Sequence, residues 1–248
     1  MTSQNTNTAG PYGIVGSGRL STHLQKYFKL EGIKFKVWSR KNKTKPENSL
    51  AGCRVILLPI PDGEIEGFIL KNPFLKNKIL IHFSGCLHTP LAYGCHPLYS
   101  FTRAKISFED YQKIIFVCDI NARKFRKVFP RLKNKVYRIK AKDKPYYHAL
   151  CVMSANFTVM LWQKAFETFK NKYGIANEDI AGFMSSVFNN LKADYKTALS
   201  GPFTRGDKAT INKNISALKG DSFQKIYKAF YAASAVIART EGTKQSHK

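Results

Sequence analysis

Residues 12–28 constrain the fold more than any other stretch of the chain. Tyr12 to Val15 is a continuous apolar run, Gly16-Ser17-Gly18 follows it, and Leu20, Leu24, Tyr27 and Phe28 then recur at i, i+4, i+7 and i+8. The run reads as a buried strand and the recurrence as one face of a helix. A strand that passes through two glycines straight into a helix opens a βα unit of a parallel sheet. Gly16 permits the tight turn. Gly18, without a Cβ, lets a pyrophosphate approach the unpaired N–H groups and positive dipole end of the helix. Ser21 stands where a third glycine would, and is small enough for close helix–strand packing. The spacing points to a dinucleotide site.

The rest of the first half repeats the pattern. Gly32 closes the first helix, and Lys34 to Trp38 alternates into a second strand. Lys41 to Asn48 reads as a polar loop. Val55 to Leu58 is a strand stopped by Pro59-Ile60-Pro61, with Asp62 expected as the N-cap of the next helix. Lys78 to Phe83, Ile114 to Cys118 and Val136 to Ile139 read as further strands, Asn121 to Phe129 as a helix, and His96 to Phe101 as a loop. Repeated strand–helix units predict a parallel sheet with right-handed crossovers. After Tyr146 strand signals end. One long helix carries Ala149, Val152, Met153, Asn156 and Met160. Later stripes carry Ile180, Phe183, Val187, Phe188 and Leu191, then Ile211, Ile215 and Leu218, then Phe223, Tyr227, Phe230, Tyr231 and Ala235. The expected organisation is an α/β dinucleotide-binding domain over residues 1–142, its parallel sheet carrying helices on both faces, and an all-helical domain over 143–248.

The end of the second strand selects the dinucleotide. An NAD site usually places a carboxylate there for the ribose 2′-hydroxyl. Here the chain reads Trp38-Ser39-Arg40-Lys41. A hydroxyl and two cations suit a 2′-phosphate, which guanidinium binds in a bidentate, charge-assisted manner. NADP is the expected cofactor. Its expected contacts are Gly16, Ser17, Gly18, Arg19 and Leu20 in the first turn, and Ser39, Arg40 and Lys41 after the second strand. Pro59, Ile60 and Pro61 follow the third strand, and Ser84 and Gly85 the fourth.

Other features exclude alternatives. There are 41 Lys and Arg against 16 Asp and Glu, a formal charge of +25. Eleven of the cations fall between Arg123 and Lys144, interleaved with Phe125, Val128, Phe129, Leu132, Val136 and Ile139. That interleaving describes a folded helix and strand with a solvated basic face rather than a nucleic-acid-binding tail. The five cysteines are odd in number, scattered and without a C-x-x-C, so a disulfide framework is not expected. His82, Cys86, His88, Cys95 and His96 lie within fifteen residues, but their spacing matches no paired-ligand hairpin, and no metal is expected. No 18-residue apolar span occurs, and the first ten residues show no basic region followed by an apolar one. A cytoplasmic protein is expected.

The motifs also carry a resemblance across nearly the whole chain. They are G-I-V-G-S-G-R-L at 13–20, W-S-R at 38–40, L-L-P-I-P-D at 57–62, H-F-S-G at 82–85 and H-P-L-Y-S-F at 96–101. Y-H-A-L at 147–150, Asn156 and G-P-F-T-R-G-D at 201–207 complete the set. In order and number they resemble the two-domain family with a Rossmann-like first half and a helical second half catalogued as domain of unknown function 2520. That family is similar to the ketopantoate, pyrroline-5-carboxylate and 6-phosphogluconate-type reductases, and some members are an alternative kind of ketopantoate reductase. The resemblance implies an NADPH-dependent reductase of a small carbonyl or imine acid, ketopantoate first, with a pyrroline-5-carboxylate-like imine reductase or a sugar-acid dehydrogenase as the alternative among enzymes. A cofactor-binding sensor without turnover is the alternative outside enzymes.

Reduction of a carbonyl needs an acid or a hydrogen-bond donor at its oxygen. His148, Lys144 and Asn156 are the candidates on the first helix after the sheet. In an ideal helix His148 and Asn156 stand about 80° and about 12 Å apart. Arg205, between two glycines, suits a substrate carboxylate, with an ion pair to Asp207 as the alternative. Asp207 reads as a helix cap. Ser84 and His96 lie where the sheet edge would meet substrate. The helical half is expected to close over that edge, and its surplus of exposed apolar stripes predicts a homodimer.

Overall fold

A computed structural model describes residues 10–245. The polar first nine residues and the side chain of Ala235 lie outside it. The chain divides into two compact units, Met1–Met160 and Leu161–Lys248.

The first unit is built on a seven-stranded sheet: β1 (Tyr12–Val15), β2 (Phe35–Trp38), β3 (Val55–Leu58), β4 (Ile79–His82), β5 (Tyr93–Pro97), β6 (Phe116–Cys118) and β7 (Val136–Arg138), in the order β2-β1-β3-β4-β5-β6-β7. Strands β1 to β5 pair in parallel, with Ile14 opposite Val37 and Leu57, and His82 opposite Gly94. Strand β6 runs antiparallel to β5, with Cys95 opposite Cys118, and β7 runs parallel to β6. The expected parallel sheet is thus present, with β6 antiparallel to its neighbour β5. Between β5 and β6 the chain has only a six-residue helix, Phe108–Lys113. As an antiparallel neighbour, β6 re-enters the sheet from the end where β5 finished.

The helices of this unit, in chain order, are α1 (Arg19–Leu30), α2 (Pro46–Ser49), α3 (Asp62–Leu70), α4 (Phe108–Lys113), α5 (Ala122–Val128) and α6 (Lys144–Cys151). After α1, Gly32 takes a φ of +64° and ends it as expected. The expected loop over 41–48 contains α2, because Pro46 supplies a pre-set first helical residue. The strands bury two faces. Ile14, Leu57 and Ile81 point into one core with Phe28, Tyr111, Phe116 and Phe125. Val15, Ile56, Leu58 and Leu80 point into the other with Leu50, Ile65 and Leu75. The strand period of two thus gives the sheet a core on each side. In the basic segment Phe125, Val128, Phe129 and Leu132 are buried while Arg123, Lys124, Lys133 and Lys135 are exposed.

Helix α6 runs into a π-helical stretch, Val152–Phe157, and then α7 (Thr158–Tyr173). The second unit holds the rest of α7 with α8 (Asn177–Ala193), α9 (Pro202–Arg205), α10 (Lys208–Ala217) and α11 (Phe223–Gln245). Trp162 meets Phe183 edge-on at 5.6 Å, Phe203 stacks on Tyr231, and Lys164 pairs with Asp221 at 2.6 Å. Asp207 caps α10 by accepting the Thr210 N–H. Ile180 and Ile211 are buried, whereas Phe183, Leu191, Leu199 and Phe230 are exposed. No helix among the described residues is long and apolar enough to cross a membrane.

Candidate active site

The parallel strands β1, β3 and β4 end on one edge of the sheet, and the turns after them build the site. After β1 the chain turns through Gly16 at a φ of +111°. A Cβ there would also meet Ile60 Cγ2 at 3.0 Å and the Pro59 carbonyl at 3.3 Å, so only glycine fits. At Gly18 a Cβ would meet nothing within 4 Å, which leaves the start of α1 open. Ser21 donates to the Gly16 carbonyl at 2.6 Å and pins the turn.

A cavity of about 330 Å³ opens beside this turn. Gly16, Ser17, Gly18, Ser39, Arg40, Lys41, Pro59, Ile60 and Pro61 line it, which gathers most of the expected cofactor contacts. Trp38, Glu64 and Phe68 also line it and were not foreseen. Arg40 lies 3.3 Å from Glu64 in an exposed ion pair. Arg19 is exposed, and Leu20 faces an apolar crevice with Leu24 and Tyr27 instead. The difference is one of helix phase, since successive helical residues point about 100° apart.

The turn after β4 is held differently. Asp62 is the first residue of α3, and Pro61 occupies the cap position. The Asp62 carboxylate does not cap that helix; Ser84 Oγ donates to it at 2.5 Å. The same hydroxyl accepts the N–H groups of Cys86 and Leu87 at 3.1 and 2.8 Å. Ser84 therefore ties the β3 and β4 turns together, its proton committed to Asp62.

Helix α6 brings the next group. A Cβ on Gly85 would lie 2.5 Å from His148 Cδ2 and 3.2 Å from His96 Cδ2, so the imidazoles of His148 and His96 close on this turn. His96 lies on β5, not in the expected loop, because β5 extends to Pro97. Its Nδ1 is 2.8 Å from Tyr147 Oη, and its ring meets that of His148 edge-on at 5.9 Å. Burial, helped by the neighbouring His148 and by the Lys144 charge, lowers the His96 pKa to about 4. The ring is neutral at neutral pH.

One turn earlier on α6, Lys144 is only 3% exposed and sits 3.2 Å from Asp119 Oδ1. The contact is an ion pair not aligned as a hydrogen bond, and Oδ1 has no other partner. Asp119 Oδ2 accepts the Gly94 N–H at 2.9 Å. Beside the pair, His82 accepts the Ser84 N–H on Nδ1 while its Nε2 is buried without a partner. Burial and the Lys144 charge lower the His82 pKa to about 4. Lys144 is thus buried and paired with Asp119.

Asn156 is exposed within the π-helical stretch. The turns of that stretch are wider than those of the ideal helix expected between His148 and Asn156. Such bulges are frequent at functional sites. Arg205 is exposed at the end of α9 in the other unit. Its carboxyl neighbour Asp207 is engaged by Thr210 through both oxygens. Sequence reading missed Asp62, Tyr147 and Asp119; Tyr147 stood inside the Y-H-A-L motif, while Asp119 had no local signal. No cluster of three metal-ligating side chains occurs among the described residues.

Residues 119–234 match the family model described as Domain of unknown function (DUF2520). No curated protein matches the chain. Among solved structures, one described as a candidate NADP oxidoreductase from Bacteroides fragilis aligns with TM-score 0.73 at 18% identity, covering 91% of this chain and 98% of that one. Plasmodium falciparum pyrroline carboxylate reductase with NADP bound aligns at 0.57 and 14% identity, covering 94% and 98%. Aspergillus terreus reductive aminase with NADPH and ethyl levulinate aligns at 0.62 and 13% identity, covering 94% and 95%. At these identities the likeness is one of fold. Over residues 119–234 the chain is similar to the DUF2520 family model, and its fold is Rossmann-like.

Proposed function

We propose that this protein is an NADPH-dependent oxidoreductase that reduces the carbonyl of a small 2-oxo acid, with 2-dehydropantoate (ketopantoate) as the first substrate to try. The observation that carries the reading is the single sheet edge described above. It offers a glycine turn and cavity for a dinucleotide and, two strands away, a turn enclosed by His96 and His148.

The chain's residues fit NADP. The turn at Gly16 to Gly18 offers backbone N–H groups to the pyrophosphate, and Ser39, Arg40 and Lys41 offer donors to the 2′-phosphate. Arg40 exchanges Glu64 for that phosphate at little cost, because an exposed ion pair contributes only about 0–1 kcal/mol. Bound there, the reduced cofactor supplies hydride. His148 supplies the proton to the developing alkoxide, since the buried pairing of Lys144 with Asp119 leaves that lysine a structural charge. Asn156 hydrogen-bonds the carbonyl or hydroxyl, and Arg205 binds the carboxylate.

Imine reduction is the second reading. It is favoured by the solved structures with this fold, which include a pyrroline carboxylate reductase and a reductive aminase. A panel of 2-oxo acids and cyclic imines, followed by NADPH absorbance, tests both. Steady NADPH consumption with ketopantoate supports the first and with a cyclic imine the second; none with either class favours a cofactor-binding sensor. With the true substrate, Asn156→Ala should lower kcat by about 10²-fold with little change in NADPH affinity. Arg205→Ala should chiefly raise KM. Full activity in either folded variant removes that residue from the mechanism.

A further inference from the structure

Among the described residues, Tyr147 makes the one hydrogen bond to the His96 ring. We infer that Tyr147 is a positioning residue that fixes His96 in the Nε2–H tautomer, so that a neutral imidazole N–H faces the substrate's carbonyl oxygen. The inference rests on the reductase reading of this edge, and deepens it.

His96 is held from below by β5 and from the side by Tyr147, whose Oη is 2.8 Å from Nδ1 with the two rings edge-on at 80°. The ring atom next to Nε2, Cδ2, is the one that closes on Gly85. Nε2 therefore points along the Ser84-Gly85 turn, at the carboxyl edge of β4. It has no hydrogen-bond partner among the described residues and is not fully enclosed.

The proton assignment follows from the partners. The titratable and charged groups facing the ring are His148 and Lys144 on α6 and Asp62 on α3, and burial with the first two outweighs Asp62 and keeps the ring neutral. A neutral imidazole carries one N–H. Burial raises the Tyr147 pKa, so its phenol stays protonated. That proton has two acceptors in reach, His96 Nδ1 and the Cys151 thiol one turn along α6. Imidazole nitrogen is the stronger acceptor and thiol sulfur a weak one. The phenol therefore donates to Nδ1, and the ring's own proton sits on Nε2. His96 then polarises the carbonyl as a hydrogen-bond donor and transfers no proton. Hydride goes to the carbonyl carbon, its π electrons go to oxygen, and the proton comes from His148.

The test uses ¹⁵N-labelled full-length protein at pH 7. Long-range ¹H–¹⁵N spectra should show His96 with a protonated Nε2 and a bare Nδ1, lost or mixed in Tyr147→Phe. NADPH titration by fluorescence should be unchanged in that variant, and thermal melting should show it folded. With ketopantoate, Tyr147→Phe should lower kcat about tenfold or more with little change in KM. His96→Gln, which can place an amide N–H near Nε2, should keep more activity than His96→Asn, which mimics Nδ1. A protonated Nδ1 in the unmodified protein overturns the inference, as does a tautomer indifferent to Tyr147→Phe. Failure of NADPH to bind would instead defeat the reductase reading and leave the tautomer result standing.

Discussion

Removing the Asp119 carboxylate should unfold the sheet unit far more readily than removing the whole ion pair. Lys144 is 3% exposed and Asp119 13%, so neither charge is relieved by water. Asp119→Leu leaves a buried ammonium without its counter-charge and frees the Gly94 N–H that Oδ2 accepts. Breaking a buried pair in this way costs about 3–5 kcal/mol. Replacing both members, Asp119→Leu with Lys144→Met, removes the stranded charge, and such exchanges are often neutral to within a few kcal/mol. The coupling should therefore exceed about 2 kcal/mol. Urea unfolding is the assay, followed by Trp38 fluorescence in a Trp162→Phe background so that the signal reports the sheet unit. With a slope of about 2 kcal/mol per molar urea, the single variant should lower the midpoint by about 1.5–2.5 M and the double variant should recover most of it. A single variant that loses less than about 1 kcal/mol, or a double variant no better than the single, would refute the buried-charge reading and return Lys144 to the list of free acids.

Three further outcomes are expected. The protein should prefer NADPH to NADH, and Arg40→Asp should weaken NADPH binding by roughly 1.5–3 kcal/mol; equal affinity of the unmodified protein for both cofactors contradicts the role of Ser39-Arg40-Lys41. Light scattering at micromolar concentration should give twice the 28.1 kDa chain mass, because Phe183, Leu191, Leu199 and Phe230 are exposed on the helical unit; a monomer mass contradicts it. His82 and His96 have pKa values lowered to about 4 from 6.5, so the unfolded chain takes up protons first as pH falls. The stability held by the neutral rings is full above about pH 6.5 and is lost between there and pH 4, on the order of 3 kcal/mol for each ring. Melting temperature against pH should fall across that window, above the range where carboxylates titrate, and a flat profile would show the rings to be solvated.

The residues themselves determined the parts of this protein that depend on neighbours in the chain. Strands β1 and β3 lie where their apolar runs place them, Gly16 turns where a side chain would strike Ile60, and Ser39-Arg40-Lys41 reach the cavity at the end of β2. Each follows from periodicity, from glycine's missing Cβ or from a strand's direction, all of them local. Tertiary structure decided the rest. The antiparallel pairing of β6 with β5 is a contact across the sheet that no pattern within β6 records. Asp62 has the composition of a cap, but it bonds Ser84 because the β3 and β4 turns meet on one edge, 22 residues apart in the chain. Lys144 looks like one more cation in a basic segment until Asp119, at the end of β6, meets it under α6. The pairing of Tyr147 with His96 spans 51 residues for the same reason. Buried polar groups must find partners wherever the fold brings them, and that requirement acts through space rather than along the sequence.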